Sequence, residues 1–63
     1  MDTEHWEEVT IEYVGKTVKG RYNVSGGSVT VVAWNGSKTA QLGILPAERV
    51  AKMLLRALAS EGD

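Results

Sequence analysis

No cysteine and no phenylalanine occur in this chain, and histidine and proline appear once each. Without cysteine there is neither a disulfide staple nor a thiolate zinc site. With His5 as the single imidazole, a metal would need carboxylates for its other ligands, and neither metal nor cofactor is expected. Long apolar runs are also missing, and nothing approaches the roughly 20 residues of a membrane-spanning helix. The opening residues are acidic and polar with no apolar stretch behind them, so no secretory signal is expected and the location reads as cytoplasmic.

What remains is short: 63 residues, enough for a single domain over 1–63 and no second one. A chain of that length buries only about 60% of the surface its unfolded form exposes. Small scaffolds therefore lean on a disulfide, a metal or a partner subunit. The first two being absent, self-association is carried forward. The termini, residues 1–6 and 61–63, are expected to fray.

The net charge of −1 conceals a segregation. All seven basic residues lie between Lys16 and Arg56, where Glu48 is the only acid, so that stretch carries +6. The other acids precede or follow it. Segregation of this kind can mark an anion-binding face, depending on how the strands pair.

Three dipeptides suit two-residue hairpin loops: Gly15-Lys16, Gly26-Gly27 and Asn35-Gly36. Between them run segments rich in Val, Thr, Ile, Tyr and Trp with period-two alternation, which predicts strands over Glu8–Val14, Thr17–Val24, Ser28–Trp34 and Ser37–Leu42. Those loops set Ile11 opposite Gly20, Tyr22 opposite Val31, and Val31 opposite Ala40. One face then gathers Val9, Ile11, Tyr13, Val18, Tyr22, Val24, Val29, Val31, Ala33, Ala40 and Leu42. A one-residue slip would send a whole strand's side chains to the other face, so the agreement of three turns on one apolar face supports the pairing. Lys38 is the misfit, an inward lysine on an edge strand that can snorkel and discourage aggregation.

Gly43 breaks the last strand, and Pro46 is read as opening a helix that runs to about Ser60. Its composition of Ala, Leu, Glu, Arg and Lys favours helix throughout. Wound as a helix, Glu48, Arg49, Lys52 and Arg56 share one arc. Val50, Ala51, Met53, Leu54, Ala57 and Leu58 fill the other, with Leu55 on its flank. That apolar arc, about 200° wide, exceeds what one sheet needs to cover. The excess predicts a homodimer, with Met53 and Leu55 as candidate interface residues. The expected fold is α+β: a four-stranded antiparallel meander followed by one helix packed on its apolar face.

Gly15-Lys16-Thr17 has the ending of a phosphate-binding loop. The motif also needs a glycine five positions before Gly15, where this chain has Thr10, and it must join a strand to a helix. Nucleophilic catalysis needs a nucleophile, a base and a group to orient the base, and the lone histidine sits near the terminus. Paired carboxylates need enclosure to separate their pKa values, whereas Glu8 and Glu12 are predicted on the open face beside Arg21 and Lys19. No enzyme is expected.

The open face carries Glu8, Thr10, Glu12, Thr17, Lys19, Arg21, Asn23, Thr30, Val32, Trp34, Thr39 and Gln41. Trp34 there is a platform on which an unstacked base could lie, with Lys19 and Arg21 as candidate phosphate contacts. Two expectations follow: a non-catalytic homodimerising interaction module or, as the alternative, a weak binder of single-stranded nucleic acid using Lys19, Arg21 and Trp34. Neither a membrane nor a small-molecule substrate is an expected partner. The basic stripe Arg49, Lys52 and Arg56 beside an apolar arc also fits a membrane surface, but the sheet needs that arc to bury its own apolar face.

The stretches Tyr13-Val14-Gly15-Lys16-Thr17, Val24-Ser25-Gly26-Gly27-Ser28-Val29-Thr30-Val31 and Gly36-Ser37-Lys38-Thr39-Ala40-Gln41-Leu42-Gly43 resemble a group of short bacterial proteins of unknown function. The helix from Pro46-Ala47-Glu48 to Leu58 completes the likeness, which implies the same fold. More loosely, Gly36-x-Lys38 leading through Leu42 to Pro46 and a leucine-bearing helix resembles the layout of the last strand and helix of whirly and Pur-type modules. That resemblance implies dimerisation and single-stranded nucleic-acid binding. The chain departs from those modules in its net acidity and short strands.

Overall fold

The computed structural model describes residues 5–62. Four strands form one antiparallel sheet in the order β1-β2-β3-β4: β1 (Glu7–Tyr13), β2 (Lys16–Ser25), β3 (Ser28–Ala33) and β4 (Gly36–Gln41). A single helix, α1 (Ala47–Glu61), follows and packs across one face. The expected ββββα architecture is the one observed.

The turns divide differently. Gly26-Gly27 forms the β2–β3 loop as expected, with φ of 58° and 79°, and Tyr22 faces Val31. The β1–β2 loop, however, is Val14-Gly15, with Tyr13 paired to Lys16 and Ile11 to Val18. The β3–β4 loop is Trp34-Asn35, with Ala33 paired to Gly36 and Val29 to Ala40. Each of these two pairings is slid by two residues from the predicted one. A two-residue slide keeps every side chain on its predicted face, because side chains alternate with period two.

Each slide has its own cause. A type I′ turn needs φ above zero at both central residues and favours glycine at the second. Val14-Gly15 provides that order, with φ of 53° and 74°, whereas Gly15-Lys16 would place lysine second. The cost falls on Val14, a β-branched residue in the left-handed region. Val14→Asn is expected to raise stability by about 1 kcal/mol, because asparagine tolerates that region at far lower cost. Thermal unfolding of the variant, read as a higher Tm, checks it. At the other turn Asn35 is occupied elsewhere: its Nδ2 donates to the Leu58 carbonyl at 2.7 Å. That contact ties the β3–β4 loop to the last turn of α1, where the Gly62 N–H also donates to Leu58. Gly36, with φ of 143°, takes the unusual backbone angle instead.

Pro46 is the cap rather than the first helical residue, with an extended ψ of 148°. Its neighbour Ala47 begins α1, and Glu48 in the first turn complements the helix dipole. Of the termini expected to fray, residues 1–4 and 63 lie outside the described residues. Glu61 completes α1 and pairs with Lys38 at 2.6 Å. The inward lysine of β4 is thus held by an ion pair to the helix.

The core is Val9, Val29, Val31, Val50, Ala51, Leu55 and Leu58. Ile11, Val18, Tyr22, Ala33, Ala40, Leu42 and Leu54 pack around it, partly buried. Val24, predicted on this face, is exposed because it lies at the far end of β2 beside Ser25. Leu55 is the main correction. Predicted on the flank of the apolar arc and as a dimer contact, it is fully buried over Gly20 in its own chain. Met53, the other candidate, is exposed. None of the helices among the described residues is long and apolar enough to cross a membrane.

Candidate functional site

With α1 covering one face, the other face of the sheet is left open. Alternation along β2 presents Lys19 and Arg21 there, separated by Gly20, whose position faces the core. Glu8 lies directly across from Arg21 on β1, and Val32 lies across from it on β3. Trp34 follows β3 in the turn, 63% exposed. Glu8, Lys19, Arg21, Val32 and Trp34 line one depression of about 330 Å³. The structure therefore brings together all three residues read as a nucleic-acid site, Lys19, Arg21 and Trp34.

Their surroundings differ from the prediction because of the slid β1–β2 register. Lys19 was expected opposite Glu12 and faces Thr10, while Glu12 faces Thr17. Among the described residues, Lys19 and Arg21 make no ion pair. Thr30 and Thr39 hydrogen bond to each other through their hydroxyls at 3.0 Å, extending the face toward β4 as a polar strip.

One residue was missed. Trp6 precedes β1 and lines a second hollow of about 240 Å³ with Arg21 and Val32. Arg21 and Val32 are shared by both hollows, so Trp6 and Trp34 flank one continuous surface. The signal was present in the alternation: Glu8, Thr10 and Glu12 point to the open face, and Trp6 continues the same parity. His5, just before it, bonds Glu7 at 3.0 Å and stands apart from this surface.

On the covered face, burial first, and then the carboxylates of Glu7 and Glu48, raise the Tyr22 phenol above its ordinary value. Among the described residues no three His, Asp or Glu side chains are grouped as metal ligands. The open face offers indole rings, a valine, two cations and the Glu8 carboxylate.

No protein-family model matches the chain, and no characterised protein or solved structure matches it.

Proposed function

We propose that the protein is a small non-catalytic interaction module that pairs with a second copy of itself through the open face of its sheet. The observation that supports this is an apolar surface in a charge-balanced setting. Trp34 and Val32 are 63% and 43% exposed on a face that carries Glu8 and Glu12 as well as Lys19 and Arg21. An exposed apolar patch with a polar rim is characteristic of interaction surfaces. Two-fold pairing lets the acids of one copy meet the cations of the other, since an isologous interface is self-complementary. Burying Trp34 in it adds a residue type that commonly dominates interface energy. A short chain without disulfides gains stability from such pairing. Leu55, one of the two helix residues first read as dimer contacts, is buried in the core, and Met53, the other, is exposed. In this reading the copies pair through the sheet instead.

Single-stranded nucleic acid is the second reading, favoured by the proximity of Trp34 to Lys19 and Arg21. Base stacking on an aromatic side chain contributes about 1–3 kcal/mol in known single-strand binders. Sedimentation velocity over a concentration series, with the wild type and Trp34→Ala, tests the first reading. A dimer in the wild type and a folded monomer in the variant are expected. A wild type that stays monomeric sinks the dimer. Salt-sensitive NMR shifts of the Trp34 indole on adding a mixed-sequence oligonucleotide would then put the second reading in its place. A monomer with a flat titration removes both.

A further inference from the structure

A second surface lies along the β1 edge of the sheet, next to the open face. β1 pairs only with β2, so its outer edge carries no strand among the described residues. Unpaired edges of this kind are templates for strand addition. Above this edge runs one side of α1, bearing Arg49, Lys52, Met53 and Arg56 at helical spacing of i, i+3, i+4 and i+7. These side chains close a groove of about 460 Å³ against Thr10, Ile11 and Glu12 of β1. Ile11 belongs to the covered face, and Thr10 and Glu12 belong to the open one. A groove lined by consecutive residues of both parities follows the edge of the strand rather than either face.

We propose that this groove takes an extended acidic segment of another protein, which adds to β1 as a further strand. Three cations overlook the groove and one acid, Glu12, lies in it. Lys52 is partly answered by Glu48 at 3.4 Å, and the Arg56 guanidinium lies 5.8 Å from the centre of the Tyr13 ring. Arg49 makes no ion pair among the described residues. Met53, 58% exposed, supplies an apolar wall between these charges. In strand addition the backbone hydrogen bonds give affinity, and alternate side chains give specificity. Side chains of the added strand that point toward α1 meet Arg49, Lys52 and Arg56 and are therefore acidic. Those that point the other way lie beside Thr10 and Glu12, so they are uncharged and suited to strand. The pattern recognised alternates Glu or Asp with Thr or Val. Nucleic acid fits the groove less well, because its phosphates can accept from the edge amides but offer no donors to the edge carbonyls, and Glu12 repels them.

The test is an NMR titration of the full-length protein with the capped peptide Thr-Glu-Val-Glu-Thr-Glu-Val and with the same peptide bearing lysine for glutamate. The acidic peptide is expected to shift the amides of Thr10, Ile11 and Glu12 and the Met53 methyl, and to slow exchange of outward-facing β1 amides. The lysine peptide is expected to leave them unchanged. The exposed pair of changes Arg49→Glu and Lys52→Glu should weaken binding by about tenfold or more through charge complementarity, with Arg49→Gln as the milder variant if the pair perturbs folding. Trp34→Ala should bind the peptide as the wild type does, which separates this surface from the open face. Equal binding of both peptides, or shifts confined to the open face, would overturn the proposal. So would an oligonucleotide that displaces the acidic peptide from the β1 edge.

Discussion

Leu55→Ala is expected to remove about 2–5 kcal/mol of stability, the range for truncating a buried leucine. The side chain is fully buried and rests over Gly20, so its loss opens a cavity at the centre of the sheet rather than at a margin. A domain of this length holds only about 3–9 kcal/mol in total. The variant should therefore populate unfolded chain near room temperature, and urea unfolding should show a much lower midpoint with an unchanged slope. A loss below about 1 kcal/mol, within the range of an ordinary surface change, would mean that Leu55 does not occupy the core as described.

Gly20→Val is expected to cost nearly as much for the opposite reason. A Cβ at Gly20 would lie 3.0 Å from the Leu55 Cδ1 and 3.0 Å from the Val32 carbonyl oxygen. Leucine can rotate away, but the carbonyl belongs to the neighbouring strand and cannot move without disturbing the ladder. Overpacking a fitted site typically costs about 1–3 kcal/mol, and a β-branched side chain adds methyls in two directions. Combining the two changes distinguishes the mechanism. Valine at 20 partly fills the cavity left by alanine at 55, so the double variant should be more stable than the sum of the two losses predicts. Neighbours that share one cavity couple in this way. Simple additivity would place the damage of Gly20→Val at the Val32 carbonyl alone.

Leu55 also shows where sequence reasoning reached its limit. The wheel of α1 buries Val50, Ala51 and Leu58 as expected, but Met53 of its apolar arc is exposed beside Arg49 and Lys52, and Leu55 moves from the flank to the centre. Which residue occupies the centre depends on how the helix is rotated over the sheet. The gap at Gly20 decides that by admitting a leucine where any larger residue on β2 would exclude it. Periodicity along one element carries no information about a hole in another. The same holds at Asn35. As a dipeptide, Asn35-Gly36 is the strongest hairpin signal in the chain, yet the Asn35 amide is engaged by the carbonyl of Leu58, 23 residues away.

The candidate site was legible in part. Lys19 and Arg21 share the open face because strand parity survives a two-residue slide, whereas Trp34 reaches the same depression from the β3–β4 turn. Their neighbours changed with the register, so Glu8 rather than Thr10 faces Arg21. Trp6 was missed by starting the first strand at Glu8, although the parity of that strand extends to it.

By itself the sequence determined the element order, the apolar face and the absence of cysteine chemistry, because these follow from local periodicity, turn residues and composition. The tertiary structure alone decided the exact pairing at the β3–β4 hairpin, where Asn35 is held by Leu58, the rotation of α1 over Gly20, and the groove that α1 forms along β1. Each of these depends on contacts between residues far apart in the chain, where the competing arrangements differ only in how side chains fit.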